Sequence, residues 1–147
     1  MVCLGNICRS PLAEGILKSK VDSKEVEVDS AGTASYHIGK GPDPRSIATA
    51  SRYNIDITDQ RARQFTVEDF DKFDYIFAMD KSNYQNIIAL TRDASDKAKV
   101  ALMLDILEHP QVKEVPDPYY GGDQGFEHVF QLLDQATDLV VKRLNLK

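Results

Sequence analysis

Met1-Val2-Cys3-Leu4-Gly5-Asn6-Ile7-Cys8-Arg9-Ser10-Pro11 carries the chain from two apolar residues, through a loop bearing glycine and asparagine, into a segment that begins like a helix. Gly5 and Asn6 are residue types that tolerate left-handed or otherwise unusual backbone, so a tight wrap is sterically open here. Ser10 suits a helix cap and Pro11 a first helical turn. A loop that curls from a strand into a helix start turns its N–H groups inward. Together with the partial positive charge of the helix end, they favour a bound dianion. Cys3 stands at the floor of that cradle and Arg9 at its far end. The same field favours thiolate over thiol at Cys3, and the thiolate is the nucleophilic form. Taken alone, a cysteine and an arginine at this spacing also fit a buried thiol beside an exposed cation.

After the loop, Leu12, Ile16, Leu17 and Val21 recur at helical spacing. Val26 to Asp29 reads as a short strand, Pro42 to Tyr53 as a helix with Pro44 near its start, and Phe73 to Ala78 as an apolar, aromatic strand. Asp80 or Lys81 to Leu90 reads as a helix and Lys99 to Met103 as a fourth strand. The clearest element is the last. Phe126, Val129, Phe130, Leu133, Ala136, Leu139, Val140 and Leu144 form a helical stripe, with Gly121-Gly122 before it and Asp123 as its cap. Strands alternating with helices imply an α/β fold, a parallel sheet between helical layers, with ligands at the carboxyl ends of the strands, where Cys3 falls. Only Met1 and Val2 precede Cys3, so the first strand is expected to be shortened to a few residues.

The bulk properties narrow the function independently. The 147 residues, 42% of them hydrophobic, have the length and apolar content of a single domain, 1–147, with one sizeable core. A net charge of −5 argues against a nucleic-acid partner. An acidic protein that binds an anion must do so through local positive potential, which the loop supplies. The two cysteines both lie in the loop, so a disulfide-stapled secreted domain is not expected and a reduced, cytoplasmic setting fits better. No membrane-length apolar run appears, and no membrane association is expected. His37, His109 and His128 are isolated, which gives no metal-ligand set; no metal or cofactor is expected.

Cys-Leu-Gly-Asn-Ile-Cys-Arg-Ser-Pro closely resembles the phosphate-binding loop of the low-molecular-weight protein tyrosine phosphatases. Ser30-Ala31-Gly32-Thr33, Pro42-Asp43-Pro44-Arg45, Phe73-Asp74-Tyr75-Ile76 with Met79-Asp80, and Val115-Pro116-Asp117-Pro118-Tyr119-Tyr120-Gly121-Gly122 resemble later blocks of the family, in the family's order. The resemblance implies a three-layer α/β/α fold, flavodoxin- or Rossmann-like, with a four-stranded parallel sheet in the order 2-1-3-4. It implies hydrolysis of phosphotyrosine and aryl phosphates through a phosphocysteine, with Cys3 as nucleophile, Arg9 as phosphate clamp and Asp117 as general acid and base. On its own, an aspartate between prolines is most simply a turn residue.

The resemblance also places the loop residues Leu4, Gly5, Asn6, Ile7, Cys8 and Ser10 at the phosphate, with the Ser10 hydroxyl steadying the returning thiolate. Leu4, Ile7, Tyr119 and Tyr120, with Tyr36 or His37, would flank the entering ring, while Ser30 and Asp80 support the site and Asp80 and Asn6 hold the loop's shape. Relatives that act on phosphoarginine carry Thr where Ile7 stands. Gln60 stands where some members have a histidine near the loop asparagine. Cys8 is either a small buried filler or, as the family implies, the residue that captures oxidised Cys3 as a disulfide. The expected partners are a phosphotyrosine protein and oxyanion inhibitors such as inorganic phosphate, and the expected state is a monomer, with a weak dimer as the alternative. An acidic pH optimum follows, because Cys3 must be ionised while Asp117 keeps its proton.

Three other functions share parts of this pattern. An arsenate reductase needs further cysteines to relay a disulfide, and positions 11–147 contain none. A silent phosphoprotein-binding module would keep the cradle without needing Cys3 or Asp117, and a flavodoxin-like nucleotide-binding domain would leave both idle.

Overall fold

The computed structural model describes residues 1–107, 113–119 and 123–146. In chain order the elements are β1 (Val2–Cys3), α1 (Arg9–Lys18), β2 (Ala31–Gly32), α2 (Pro44–Ser51), α3 (Glu68–Lys72), β3 (Ile76–Ala78), α4 (Lys81–Ile88), α5 (Ala94–Ala98), β4 (Val100–Leu102), a 3-10 turn (Met103–Ile106) and α6 (Asp123–Arg143). The four strands are parallel, in the order β2-β1-β3-β4, as the resemblance implies. The shortened β1 is central. Val2 pairs with Ala31 on one side and Ala78 on the other, and Cys3 pairs with Gly32.

Alternation along the strands divides the core. Val2, Ala31, Ile76, Ala78 and Val100 face Phe65, Phe70 and Ile87 on one side of the sheet. Cys3 and Met79 face the other side, where Leu12, Ile16, Met103, Phe130, Leu133, Ala136 and Val140 are buried together between α1 and α6. Side chains at successive strand positions point to opposite faces, so the four short strands serve both layers.

Two expectations shift. The segment Val26–Asp29 is not a strand; pairing begins at Ala31. Its register explains this: Ala31 N–H donates to the Met1 carbonyl at 3.0 Å and the Met1 amine to the Asp29 carbonyl at 3.0 Å, so residues 26–28 lie beyond the β1 backbone that they would need. The helix after the loop starts at Arg9 with Cys8 at its N-cap and no side-chain cap; Ser10, expected to cap it, points its hydroxyl back to Cys3 instead. The helix ends at Pro44 and Lys81 follow the usual chemistry, with Asp43 accepting from Arg45 N–H and Asp80 from Asn83 N–H, both at 2.8 Å. The short α3 and α5 carry too few apolar residues to register as periodic segments and were not foreseen.

Gly32 sits where β2 runs beneath the loop. A Cβ there would lie 2.7 Å from the Leu4 carbonyl oxygen and 3.1 Å from the Gly5 carbonyl carbon, both backbone atoms that cannot step aside. Gly32→Ala is therefore expected to destabilise the fold by about 1–3 kcal/mol, the usual range for overpacking, and to lower activity as the loop shifts. Thermal melting alongside steady-state rates tests this; unchanged values in both would show that the loop yields without effect.

Candidate active site

The loop from Leu4 to Cys8 is held open by bonds to its outward-facing carbonyls. Thr33 N–H donates to the Cys3 carbonyl and Ala34 N–H to Leu4, both at 2.9 Å, while Asp43 N–H donates to Ile7 at 2.8 Å and Ser46 Oγ to Cys8 at 3.3 Å. With the carbonyls turned out, the N–H groups turn in. That of Asn6 points at Cys3 Sγ at 3.2 Å, and those of Gly5, Ile7 and Cys8 donate to no described acceptor. Asn6 makes the wrap by adopting φ 58°, as foreseen for one of the two candidate residues. Gly5 serves differently: its missing Cβ leaves room for His37, whose Cδ2 would lie 2.9 Å from it.

Cys3, Leu4, Gly5, Ile7, Cys8, Arg9, Tyr36, His37, Asp117 and Tyr119 line one pocket of about 290 Å³ at the carboxyl ends of the strands. Cys3 is 2% exposed, at its floor. Tyr36, 73% exposed, meets His37 edge to face at 6.4 Å, so that both form the outer wall. Tyr120 and His109 lie outside the described residues, as do Gly121-Gly122 and the side chain of Asp123.

Arg9 is anchored rather than free. Its Nη1 donates to Asp80 Oδ2 at 2.7 Å and to the Val115 carbonyl at 3.0 Å, and the side chain is 3% exposed. Asp80 thus serves twice, since its other oxygen caps α4. Removing one partner of a buried ion pair leaves the other charge uncompensated, so Asp80 fixes the guanidinium as well as satisfying it. Asp117 Oδ2 lies 3.7 Å from Arg9 Nη2, while its Oδ1 accepts from Tyr119 N–H at 3.0 Å. The two prolines and this turn aim one carboxylate oxygen at the pocket.

The side chains of two residues expected at the phosphate, Asn6 and Ser10, do not line the pocket. The Asn6 and Ser10 side chains are buried beneath the loop, where Ser10 Oγ is 3.0 Å from Cys3 Sγ. Asn6 Nδ2 donates to Ser10 Oγ at 2.7 Å and to Ser30 Oγ at 2.9 Å, and Ser30 Oγ donates to Glu14 Oε1 at 2.6 Å. Because Ser10 Oγ receives a proton from Asn6, its own proton is available to the sulfur. Glu14, 4% exposed and paired with Lys18 at 2.6 Å, ends this chain. It was not foreseen, since nothing in a helical apolar stripe marks a carboxylate that points inward.

Gln60 does not reach Asn6. Its Nε2 donates to the Pro11 carbonyl at 3.0 Å, and Asn6 Oδ1 accepts instead from Arg63 N–H at 3.1 Å. Burial pushes the Cys8 thiol up to about 12, helped by the nearby negative charge of Asp43. Among the described residues no group of three or more His, Cys, Asp or Glu side chains is placed to hold a metal ion, and no helix is long and apolar enough to cross a membrane.

A buried thiol and a buried guanidinium share one phosphate-sized cradle with a carboxylate at its mouth, which is the equipment for transferring a phosphoryl group to sulfur. The family described as low molecular weight phosphotyrosine protein phosphatase matches residues 1–147. A Synechocystis protein that carries the family's name is 48% identical over 139 residues, 92% of this chain and 88% of the relative. The crystal structure of a protein tyrosine phosphatase from Entamoeba histolytica, with Hepes in its active site, superposes with a TM-score of 0.92 at 38% identity, covering 98% of this chain and 94% of that one. Wzb of Vibrio vulnificus, solved in complex with benzylphosphonate, gives 0.84 at 30% identity, covering 97% of this chain and 94% of that one. The chain belongs to the low molecular weight phosphotyrosine protein phosphatase family.

Proposed function

We propose that residues 1–147 form a single phosphatase domain that hydrolyses phosphotyrosine and other aryl phosphates through a phosphocysteine on Cys3. The observation that carries this reading is one pocket onto which Cys3, Arg9 and Asp117 all open. Thiolate Cys3 attacks phosphorus in line. Arg9 Nη1 is committed to Asp80 and Val115, so Nε and Nη2 are the pair that grips two phosphoryl oxygens. The inward N–H groups of the loop take the rest of the charge. Asp117 gives its proton to the departing phenolate, then accepts one from the water that attacks the phosphocysteine. The Ser10 hydroxyl and the Asn6 N–H receive the returning thiolate.

Substrate choice follows from depth and lining. Leu4, Ile7, Tyr36, His37 and Tyr119 surround the path to the sulfur with apolar and aromatic surface, which a phenyl ring fills and a short phosphoserine does not. Benzylphosphonate, bound by Vibrio vulnificus Wzb, has that shape and charge and serves here as a competitive probe. Release of inorganic phosphate from phenyl phosphate, and from phosphotyrosine peptides in preference to phosphoserine peptides, tests the reading. Wild-type protein that binds benzylphosphonate but releases no phosphate would be a binding module instead. The protein works as a monomer, and a cytoplasmic setting suits its two free thiols.

Redox protection belongs to the same loop. Peroxide oxidises thiolate Cys3 to the sulfenic acid with loss of hydroxide; the Cys8 thiolate then attacks that sulfur, expels a second hydroxide and closes a disulfide. Cys8 must ionise for the second step. With its thiol held up to about 12, the thiolate fraction grows about tenfold per pH unit below that value, so disulfide closure accelerates as pH rises. Mass spectrometry after mild peroxide is expected to show more Cys3–Cys8 disulfide, and less irreversibly oxidised Cys3, at about pH 9 than at about pH 6. Free Cys8 beside sulfinic Cys3 at every pH would remove this role.

A further inference from the structure

We infer that Arg45 is a positioning residue that fixes the Asp117 loop against the phosphate cradle and so governs departure of the leaving group rather than phosphate binding; this rests on the reading of Asp117 as the general acid. Arg45 does not line the pocket. It stands between the two halves of the site. Asp43 N–H donates to the Ile7 carbonyl of the cradle at 2.8 Å. The Asp43 carboxylate in turn accepts from Arg45, with Oδ1 receiving the backbone N–H at 2.8 Å and Nε at 3.1 Å, and Oδ2 receiving Nη2 at 3.0 Å. On its other side Arg45 Nη2 donates to the Tyr119 carbonyl at 2.9 Å. Tyr119 N–H donates to Asp117 Oδ1 at 3.0 Å, so the hydrogen bonds run unbroken from cradle to acid.

The guanidinium also lies over two rings, 5.5 Å from the Tyr119 centroid and 4.7 Å from that of Phe126 on α6. A planar guanidinium bonds in its plane to a carboxylate and a carbonyl while presenting its faces to aromatic rings; an ammonium keeps donors but has neither the plane nor the faces. Asp117 is 40% exposed, and among the described residues the cation paired with it, Arg9, is 3.7 Å away, too far for a good hydrogen bond. The loop therefore depends on contacts behind the carboxylate, and displacing a proton donor by about 1 Å can cost up to about 100-fold in rate.

The test is a double-mutant cycle with Arg45→Gln, Arg45→Lys and Asp117→Asn, read on phenyl phosphate and on p-nitrophenyl phosphate, whose leaving group needs less protonation. Arg45→Gln is expected to lower kcat/KM on phenyl phosphate about tenfold and on p-nitrophenyl phosphate about twofold, with inhibition by inorganic phosphate changed less than about twofold. In the Asp117→Asn background it should cost nothing further, because the proton that it places is gone. Arg45→Lys, which keeps the charge and loses the plane, should restore less than half of the loss; it carries the same cycle if the Gln variant folds poorly. An equal loss in both backgrounds, or on both substrates, would overturn the inference by showing that Arg45 acts through the cradle or the fold. Full activity of Asp117→Asn on phenyl phosphate would overturn the acid assignment itself, and this inference with it.

Discussion

Cys3→Ser is expected to lower turnover of phenyl phosphate by at least about 10⁴-fold while leaving the affinity for inorganic phosphate within about threefold of the wild type. A serine hydroxyl has nearly the thiol's shape but does not ionise near neutral pH, so the attacking group is lost and the cradle is not. The N–H groups that face inward belong to the backbone, and Arg9 is held by hydrogen bonds to Asp80 and Val115 that do not involve Cys3. Ser10 Oγ, 3.0 Å from the sulfur, can bond the new hydroxyl, which satisfies the buried oxygen. The separation of rate from binding is the informative part. Steady-state rates and phosphate inhibition measured on the same preparation read both. A parallel loss of binding would mean that the thiol builds the cradle, and retained turnover would mean that another group attacks.

Asp117→Asn is expected to reduce kcat/KM, which reads the step that expels the leaving group, about 10²- to 10³-fold on phenyl phosphate, within the range supplied by positioned proton donors, and to reduce it much less on p-nitrophenyl phosphate. The substitution is nearly silent for structure. Asparagine keeps the Oδ1 that accepts from Tyr119 N–H, and the contact with Arg9, at 3.7 Å and 40% exposed, contributes little to stability. The sign of the pH effect is fixed by the role. Wild-type turnover should fall as pH rises, because a step that needs an acid slows, and that fall should vanish in Asp117→Asn. Stopped assays across the acid and neutral range on both substrates decide it; a variant with the wild-type profile would leave Asp117 as a turn residue.

Much of the site was legible because its logic is local. Cys3, Gly5, Asn6 and Arg9 sit within one loop, and the backbone chemistry of each residue type points to the same wrap. Asp117 was legible as a turn from its prolines, but as an acid only through resemblance, since its nearness to Arg9 spans 108 positions. What remained hidden is what depends on distant parts. Glu14 lies on an apolar helix whose faces are almost all buried, so no periodicity separates a carboxylate that meets Ser30 from one that meets water. Arg45 was quoted only as part of a block, because its partners Tyr119 and Phe126 come from the far end of the chain. Asn6 and Ser10 were correctly tied to the loop, yet sequence could not tell a side chain over the phosphate from one beneath it. The second strand moved from Val26–Asp29 to Ala31–Gly32 because strand limits are set by pairing with a neighbour, here Val2 with Ala31 and Cys3 with Gly32, and not by the strand's own composition.

The covalent intermediate is the central claim, and rapid quench reaches it directly. Asp117→Asn mixed with excess p-nitrophenyl phosphate, whose departure needs little protonation while hydrolysis of the phosphocysteine lacks its base, and quenched within one turnover should carry a single phosphate, located by peptide mass spectrometry on Cys3. p-Nitrophenol should appear in a burst equal to the enzyme present, and Cys3→Ser under the same conditions should show neither signal. Steady hydrolysis without a burst, or phosphate on any residue other than Cys3, would contradict the mechanism.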